Sequence, residues 1–213
     1  MSMPERFGIP STKVIELMKC LQVPFRNVGP GHKIMVMTDT AMDPLVWHAV
    51  MAVINEKGAE SMLALFPKLP YHCADPLSMA IAAAKESDLV VALTTTCLNS
   101  GTPGLRSVRE EGRTGIYLME ESTVEILTEG GGKTTLEELE EIADLQTRIG
   151  KIYDKGKKIH IHSDSGTDFT ADISGNPPNF FADRYAKLPG SINEKNGRLT
   201  GGTWPWGEVH VEP

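Results

Sequence analysis

Residues 33–119 repeat one pattern, in which short runs of apolar residues alternate with longer segments of helical character. The apolar runs are Lys33–Met37, Met62–Phe66, Leu89–Leu93 and Gly115–Met119. Runs without polar alternation are typical of strands that are buried on both faces of a parallel sheet. Strands that alternate with helices predict helical crossovers between parallel neighbours. We therefore predict an α/β fold with a doubly wound, mostly parallel sheet over residues 30–120.

Capping residues and prolines mark several helix starts. Asp43-Pro44 and Asp75-Pro76 each place a side-chain acceptor before a proline, the usual order at an N-cap and the first helical position. Apolar residues at helical spacing predict a first helix over Ser11–Leu21 and a long helix over Leu136–Tyr153.

The pattern changes after Gly156. Lys158–His162 and Asp168–Ile173 alternate in polarity around the turn Ser163–Gly166, which predicts a β-hairpin. Residues 207–211 have the pattern of a further strand. We therefore predict two domains, an α/β domain of the Rossmann or flavodoxin type over residues 1–156 and a β-rich one over residues 157–213.

Composition excludes several classes of protein. Of the 213 residues, 40% are hydrophobic and 23% charged, which is ordinary for a globular chain and excludes a disordered or collagen-like one. The net charge of −7 offers no basic surface for nucleic acid, and the apolar runs are too short to span a membrane. Three separated cysteines and no signal-peptide pattern favour a reducing compartment, so we expect a cytoplasmic protein.

The sequence does not match either of two common nucleotide-binding motifs. The stretch Gly130–Thr134 resembles the end of a phosphate-binding loop, but Leu127 stands where that motif needs a glycine. Residues 38–42, after the first strand, contain no Gly-x-Gly-x-x-Gly pattern. We therefore predict no nucleotide-binding residues.

Polar residues follow two of the predicted strands, at the edge where ligands bind in a doubly wound sheet. Asp39 and Asp43 follow the first strand, and Cys97 follows the third. An N-cap role accounts for Asp43. A nucleophilic cysteine needs a base, and no histidine can be placed beside Cys97, so we interpret it as a small buried residue.

A second group of candidate functional residues lies on the predicted hairpin. His160 and His162 are two residues apart on a strand, so they share one face, and Asp164 continues the row. Imidazoles at this spacing can hold a divalent metal. Because no third ligand can be placed, we favour a solvated polar face.

Two segments resemble the thermophilic metallo-aminopeptidases of the aminopeptidase T family. His162–Phe169 is similar to their Gly-Thr-Asp-Leu hairpin, and Pro205–Pro213 is similar to their Pro-x-Gly-Glu-Val-x-x-x-Pro segment. The α/β part, with Asp43-Pro44 opening a helix and the run Ser87–Val91, resembles a sister group in the same superfamily. That group contains the iron-dependent 2,5-dihydroxypyridine 5,6-dioxygenases.

The first resemblance implies that the chain is the N-terminal part of a metal-dependent hydrolase. Such an enzyme, a leucyl aminopeptidase, releases N-terminal amino acids with metal-activated water. It makes Glu208 a ligand of zinc, cobalt or manganese and assigns no catalytic residue. The second implies an Fe(II)-dependent dioxygenase that opens a small hydroxylated N-heterocycle. A third hypothesis is a non-catalytic α/β subunit or binding module.

The chain departs from both patterns. In the aminopeptidase T family the other metal ligands follow the Gly-Glu-Val segment, so the resemblance makes residues 157–213 the start of an incomplete metal-binding domain. Since a catalytic metal needs three or more protein ligands, we predict that this chain alone is inactive. The dioxygenase branch has a histidine after the third strand, where this chain has Cys97-Leu98-Asn99. Both groups often form dimers, so a homodimer is also considered.

Overall fold

The computed structural model describes residues 11–98, 102–110, 114–130, 133–175 and 208–212, the last of these by their backbone alone. These residues form two compact units, which are described separately below. The first contains the described residues up to Thr135, and the second begins at Leu136. The predicted domain boundary at residue 156 stays a prediction.

The first unit alternates helices and strands from its start. In chain order its elements are α1 (Ser11–Leu21), β1 (Lys33–Asp39), α2 (Pro44–Glu56), β2 (Glu60–Phe66), α3 (Ser78–Lys85), β3 (Leu89–Leu93), α4 (Pro103–Glu110), β4 (Gly115–Leu118) and α5 (Val124–Thr128). Each predicted apolar run therefore lies in a strand, except that Met119 follows the end of β4. In the described ranges no helix is long and apolar enough to cross a membrane.

The four strands form one parallel sheet in the order β2-β1-β3-β4. Val36 of β1 lies between Leu63 of β2 and Val91 of β3, which sets the register at the centre of the sheet. All five residues of β3 are buried, as expected for a strand covered on both faces.

The two faces of the sheet carry separate apolar clusters. On one face, Ile34 and Val36 of β1 belong to a cluster with buried residues of α1 and α2, among them Leu17 and Val50. On the other face, alternate β1 residues such as Met35 belong to a cluster with buried residues of α3 and α4. Helices on both faces of a parallel sheet confirm the predicted doubly wound α/β class.

The two Asp-Pro pairs have different roles. Asp43 caps α2 as predicted, because its Oδ1 accepts a hydrogen bond of 2.8 Å from the Leu45 N–H and Pro44 occupies the first turn. The prediction for Asp75 is wrong, since α3 begins at Ser78 and Leu77 precedes it without a side-chain cap. Asp75 Oδ1 instead accepts from the Gly104 N–H at 2.8 Å, in the first turn of α4.

The second unit begins with the long helix α6 (Leu136–Tyr153). Three antiparallel strands follow, β5 (Lys158–His162), β6 (Asp168–Asp172) and β7 (Glu208–Glu212), in the spatial order β6-β5-β7. The predicted hairpin is therefore confirmed, and β7 adds a strand to its other edge. The chain has the predicted fold class, a parallel sheet flanked by helices and then a small antiparallel sheet.

Candidate functional site

The carboxyl ends of β1 and β3 lie next to each other at the centre of the parallel sheet. The crossover from β1 runs through α2 on one face, whereas the crossover from β3 runs through α4 on the other. Ligands of open α/β sheets bind at such a point, where loops that turn to opposite faces leave a crevice. This edge is therefore the candidate functional site of the first unit.

Asp39 joins the ends of these two strands. It is the last residue of β1, its side chain is fully buried, and its Oδ2 accepts a hydrogen bond of 2.6 Å from the Thr95 N–H. The Thr95 hydroxyl lies 3.1 Å and 3.0 Å from the two carboxylate oxygens, and the Ala41 N–H donates to Oδ1 at 2.8 Å. Because both oxygens are engaged by the loops after β1 and β3, Asp39 positions the loop after β3.

The loop after β3 is rich in hydroxyl groups. The Thr94 hydroxyl is buried and donates to the Thr96 carbonyl at 2.7 Å, which closes a tight turn. The Thr96 hydroxyl is also buried, with 5% of the residue exposed, and it has no hydrogen-bond partner among the residues that the structure describes. A buried polar group without a partner is unusual and calls for an explanation. A bound polar ligand at this edge would supply the missing partner.

The loop after β2 is attached to the same place. His72 Nδ1 accepts a hydrogen bond of 3.1 Å from the Cys97 N–H, and the Cys73 N–H donates to the Cys97 carbonyl at 2.6 Å. Cys73 has a φ of +65°, an uncommon conformation for a residue other than glycine. The structure thus brings a histidine to Cys97, which the sequence could not place. Cys97 is half-buried, so its interpretation as a buried residue is only partly correct.

Two acidic residues after β4 complete this edge. Glu120 accepts a hydrogen bond from the Leu98 N–H, and the Glu121 N–H donates to the Thr94 carbonyl at 2.8 Å. Glu121 Oε1 lies 4.0 Å from His72 Nε2, and both side chains are exposed. The loops after β1, β2, β3 and β4 are therefore linked by hydrogen bonds and by the 4.0 Å approach of Glu121 to His72. They form a polar rim at this edge of the sheet.

The other residues that the sequence singled out lie in different elements of the chain. Asp43 is exposed and caps α2, and the stretch Gly130–Thr134 lies partly outside the described residues. Glu208 is the first residue of β7, opposite His162 in register, and its role as a metal ligand stays a prediction.

His72, Thr95 and Thr96 were missed as functional candidates. Thr95 and Thr96 belong to the loop after β3, in which the sequence pattern singles out Cys97 alone. His72 follows the end of β2 by several residues, and no local pattern identifies it.

The sequence model of the NicX family, 2,5-dihydroxypyridine 5,6-dioxygenase, matches residues 16–205. The chain belongs to this family. A solved structure of the 2,5-dihydroxypyridine dioxygenase from Pseudomonas putida KT2440 is similar in fold, with a TM-score of 0.57 and 19% sequence identity. No curated protein matches the chain significantly.

The solved dioxygenase is considerably longer than the match. The similarity covers 76% of this chain and 47% of the Pseudomonas chain. At this level of identity it supports the fold alone.

Family membership corrects the leading functional prediction. The hydrolase, aminopeptidase and metalloprotease interpretation is wrong, and the dioxygenase alternative agrees with the family match. Two short segments carried the aminopeptidase T resemblance, whereas the family match spans most of the chain. The inactivity predicted for this chain rested on missing hydrolase ligands, so that argument no longer applies.

The family implies a metal cofactor, which raises the question of which residues could hold one. Within the ranges whose side chains are described, no three His, Cys, Asp or Glu residues are grouped so that they could hold a metal ion. At the sheet edge, Asp39 and Glu120 are already engaged by backbone N–H groups. The described residues at the rim of the parallel sheet therefore do not form a metal site.

Proposed function

We propose that the protein functions in the oxidative ring opening of a small dihydroxylated N-heteroaromatic compound of the 2,5-dihydroxypyridine type, with Fe(II) as the cofactor. The observation that carries the proposal is the family match over residues 16–205. In the reaction that the family description implies, the C5–C6 bond breaks and both atoms of dioxygen enter the product. The proposed partner is thus a small molecule.

The polar rim supports a role in binding such a ring. A dihydroxypyridine carries two hydroxyl groups and a ring nitrogen, which need donors and acceptors once they leave water. The unpartnered Thr96 hydroxyl can donate or accept, and the neighbouring Asp39 and Glu120 hold the loop that carries it.

The first experiment tests the reaction. The purified chain is loaded anaerobically with Fe(II), mixed with 2,5-dihydroxypyridine, and exposed to labelled dioxygen while oxygen consumption is recorded. We expect oxygen uptake that requires both the metal and the substrate, with two labelled oxygen atoms in the product. Iron-loaded, folded protein that consumes no oxygen with this substrate would contradict the proposal.

A second experiment tests the rim. Thr96→Val keeps the shape of the side chain and removes the hydroxyl, and it is expected to weaken anaerobic binding of 2,5-dihydroxypyridine about tenfold, the loss of one buried hydrogen bond. Thr12→Val alters an exposed threonine of α1, outside the polar rim, and serves as the matched control. Equal affinities for the two variants would show that Thr96 does not contact the ligand. Binding without turnover would instead favour the non-catalytic binding module.

A further inference from the structure

Two cysteines lie next to each other at the rim of the parallel sheet, one in the loop after β2 and one in the loop after β3. The Cys73 N–H donates a hydrogen bond of 2.6 Å to the Cys97 carbonyl, and the Cys97 N–H donates to His72 Nδ1 at 3.1 Å. Adjacent residues of one loop therefore hold a single residue of the other loop from both sides of its peptide unit. The two cysteines are neighbours in the folded chain, although they are distant in the sequence.

The hydrogen bond limits the distance between the Cα atoms of Cys73 and Cys97. The path between these atoms runs through the N–Cα bond of Cys73, the hydrogen bond of 2.6 Å, and the C=O and Cα–C bonds of Cys97. Even if this path were straight, it would span at most about 6.8 Å. Natural disulfides join Cα atoms that are usually about 4.4–6.8 Å apart. The two backbones are therefore close enough for a disulfide.

The two thiols differ in their access to solvent. Cys73 is exposed, whereas Cys97 is half-buried. Oxidants in solution react preferentially with accessible cysteines, so Cys73 is the thiol that reacts first and Cys97 is the one that resolves the product. The third cysteine, Cys20, lies on α1 and outside the rim.

We propose that Cys73 and Cys97 are a redox modification site, at which a hydroperoxide such as hydrogen peroxide produces a reversible intramolecular disulfide. The Cys73 thiolate attacks one peroxide oxygen, the O–O bond breaks, and Cys73 becomes a sulfenic acid while the released hydroxide takes up the thiol proton as water. The Cys97 sulfur then attacks the Cys73 sulfur. The S–O bond breaks, and the departing hydroxide leaves with the Cys97 proton as a second water.

The overall reaction balances without a further reactant. Two thiols lose two electrons and two protons, and one hydrogen peroxide is reduced to two molecules of water. A thiol reductant such as dithiothreitol reverses the change by thiol–disulfide exchange. The cross-link joins the loops after β2 and β3 covalently, and these loops belong to the polar rim. It does not rest on the proposed function, because it needs neither iron nor substrate.

The test uses the full, reduced, metal-free chain without substrate. A small excess of hydrogen peroxide is added in native buffer, the remaining thiols are alkylated under denaturing conditions, and the intact mass is measured. We expect the treated chain to lose two hydrogen atoms and to keep Cys20 as its alkylated thiol, and dithiothreitol to restore alkylation of Cys73 and Cys97. A non-reducing digest should contain the peptides of Cys73 and Cys97 joined to each other.

Two variants complete the test. In Cys97→Ser the resolving thiol is absent, so oxidation of Cys73 is expected to stop at the sulfenic acid, which dimedone labels. Cys20→Ser alters α1 and not the rim, so it is the matched control and forms the cross-link as the wild type does. Circular dichroism checks that each protein is folded.

Two results would overturn the proposal. One is full alkylation of Cys73 and Cys97 in the peroxide-treated wild type. The other is a disulfide that joins either of them to Cys20 or to a second chain. Neither result would affect the oxygen-uptake experiment.

Discussion

Asp39 and Thr95, which are 56 residues apart in the chain, form a buried connection between the ends of β1 and β3. The Asp39 carboxylate accepts from the backbone N–H and lies within hydrogen-bond distance of the hydroxyl of Thr95. A carboxylate that binds backbone N–H groups makes stronger hydrogen bonds than a neutral acceptor does. The shape of the loop after β3 therefore depends on one side chain of the neighbouring strand.

Replacing Asp39 by Asn tests this connection. The amide places an NH₂ group against the N–H donor of Ala41 or Thr95, so at least one of these two part-buried hydrogen bonds is lost. We expect Asp39→Asn to lower the free energy of unfolding by about 1–3 kcal/mol in urea denaturation. Asp43→Asn makes the same chemical change at the exposed N-cap of α2, where Asn is as good as Asp, and should change stability little. Equal losses in the two variants would argue against a special role for Asp39.

Two residues of α1 test the packing of the apolar cluster that α1 and α2 form on one face of the sheet. Leu17 is fully buried, whereas Ile15 on the same helix is 54% exposed. Leu17→Ala is expected to cost about 2–5 kcal/mol of stability, because it removes buried methyl groups and leaves a cavity. Ile15→Ala should stay within about 0.5 kcal/mol of the wild type. Chemical denaturation of both variants gives the comparison, and a small effect of Leu17→Ala would contradict the packing described here.

The close contact between α3 and α4 is tested at Gly104. A Cβ at this position would lie 2.9 Å from Asp75 Oδ1 and 2.9 Å from Ile81 Cγ1. Gly104→Ala is therefore expected to destabilise the protein by about 1–3 kcal/mol through overpacking. Gly29→Ala is the control, since nothing lies within 4 Å of its added Cβ. Thermal melts of the two variants that cannot be distinguished would disprove the close approach of the helices.

The burial of His48 is expected to make the stability of the protein depend on pH. The residue is 4% exposed on α2, and burial lowers the pKa of its imidazole below the ordinary value of 6.5. The unfolded chain therefore binds a proton at a higher pH than the folded chain does. The contribution of neutral His48 to the free energy of unfolding is fully present above about pH 6.5. It is lost as the pH falls from there towards the lowered pKa of the folded state.

Melting temperatures of His48→Gln between neutral pH and about pH 5 provide the measurement. The variant should lose less stability on acidification than the wild type, because the group that takes up the proton is absent. Met51→Leu, a change on the same helix that removes no titrating group, should keep the wild-type pH dependence. If His48→Gln and the wild type have the same pH profile, His48 does not contribute to it.

Local patterns in the sequence predicted most of the first unit. Apolar runs placed the four parallel strands, and Asp43-Pro44 marked the start of α2, because these signals depend only on the residues of one element and its immediate neighbours. The same reasoning failed at Asp75, whose acceptor oxygen is used by a helix 29 residues further along the chain. A capping residue and a long-range acceptor have the same sequence signature.

The sequence by itself determined the elements, their periodicity and the fold class. Only the tertiary structure decided which side chains meet at an edge or on a face. His72 reaches Cys97, and Thr95 reaches Asp39, because the order β2-β1-β3-β4 places those loops together. His210 comes opposite His160 because β7 pairs with β5. Strand order depends on how helices pack over the whole sheet, and no single segment of the chain contains that information.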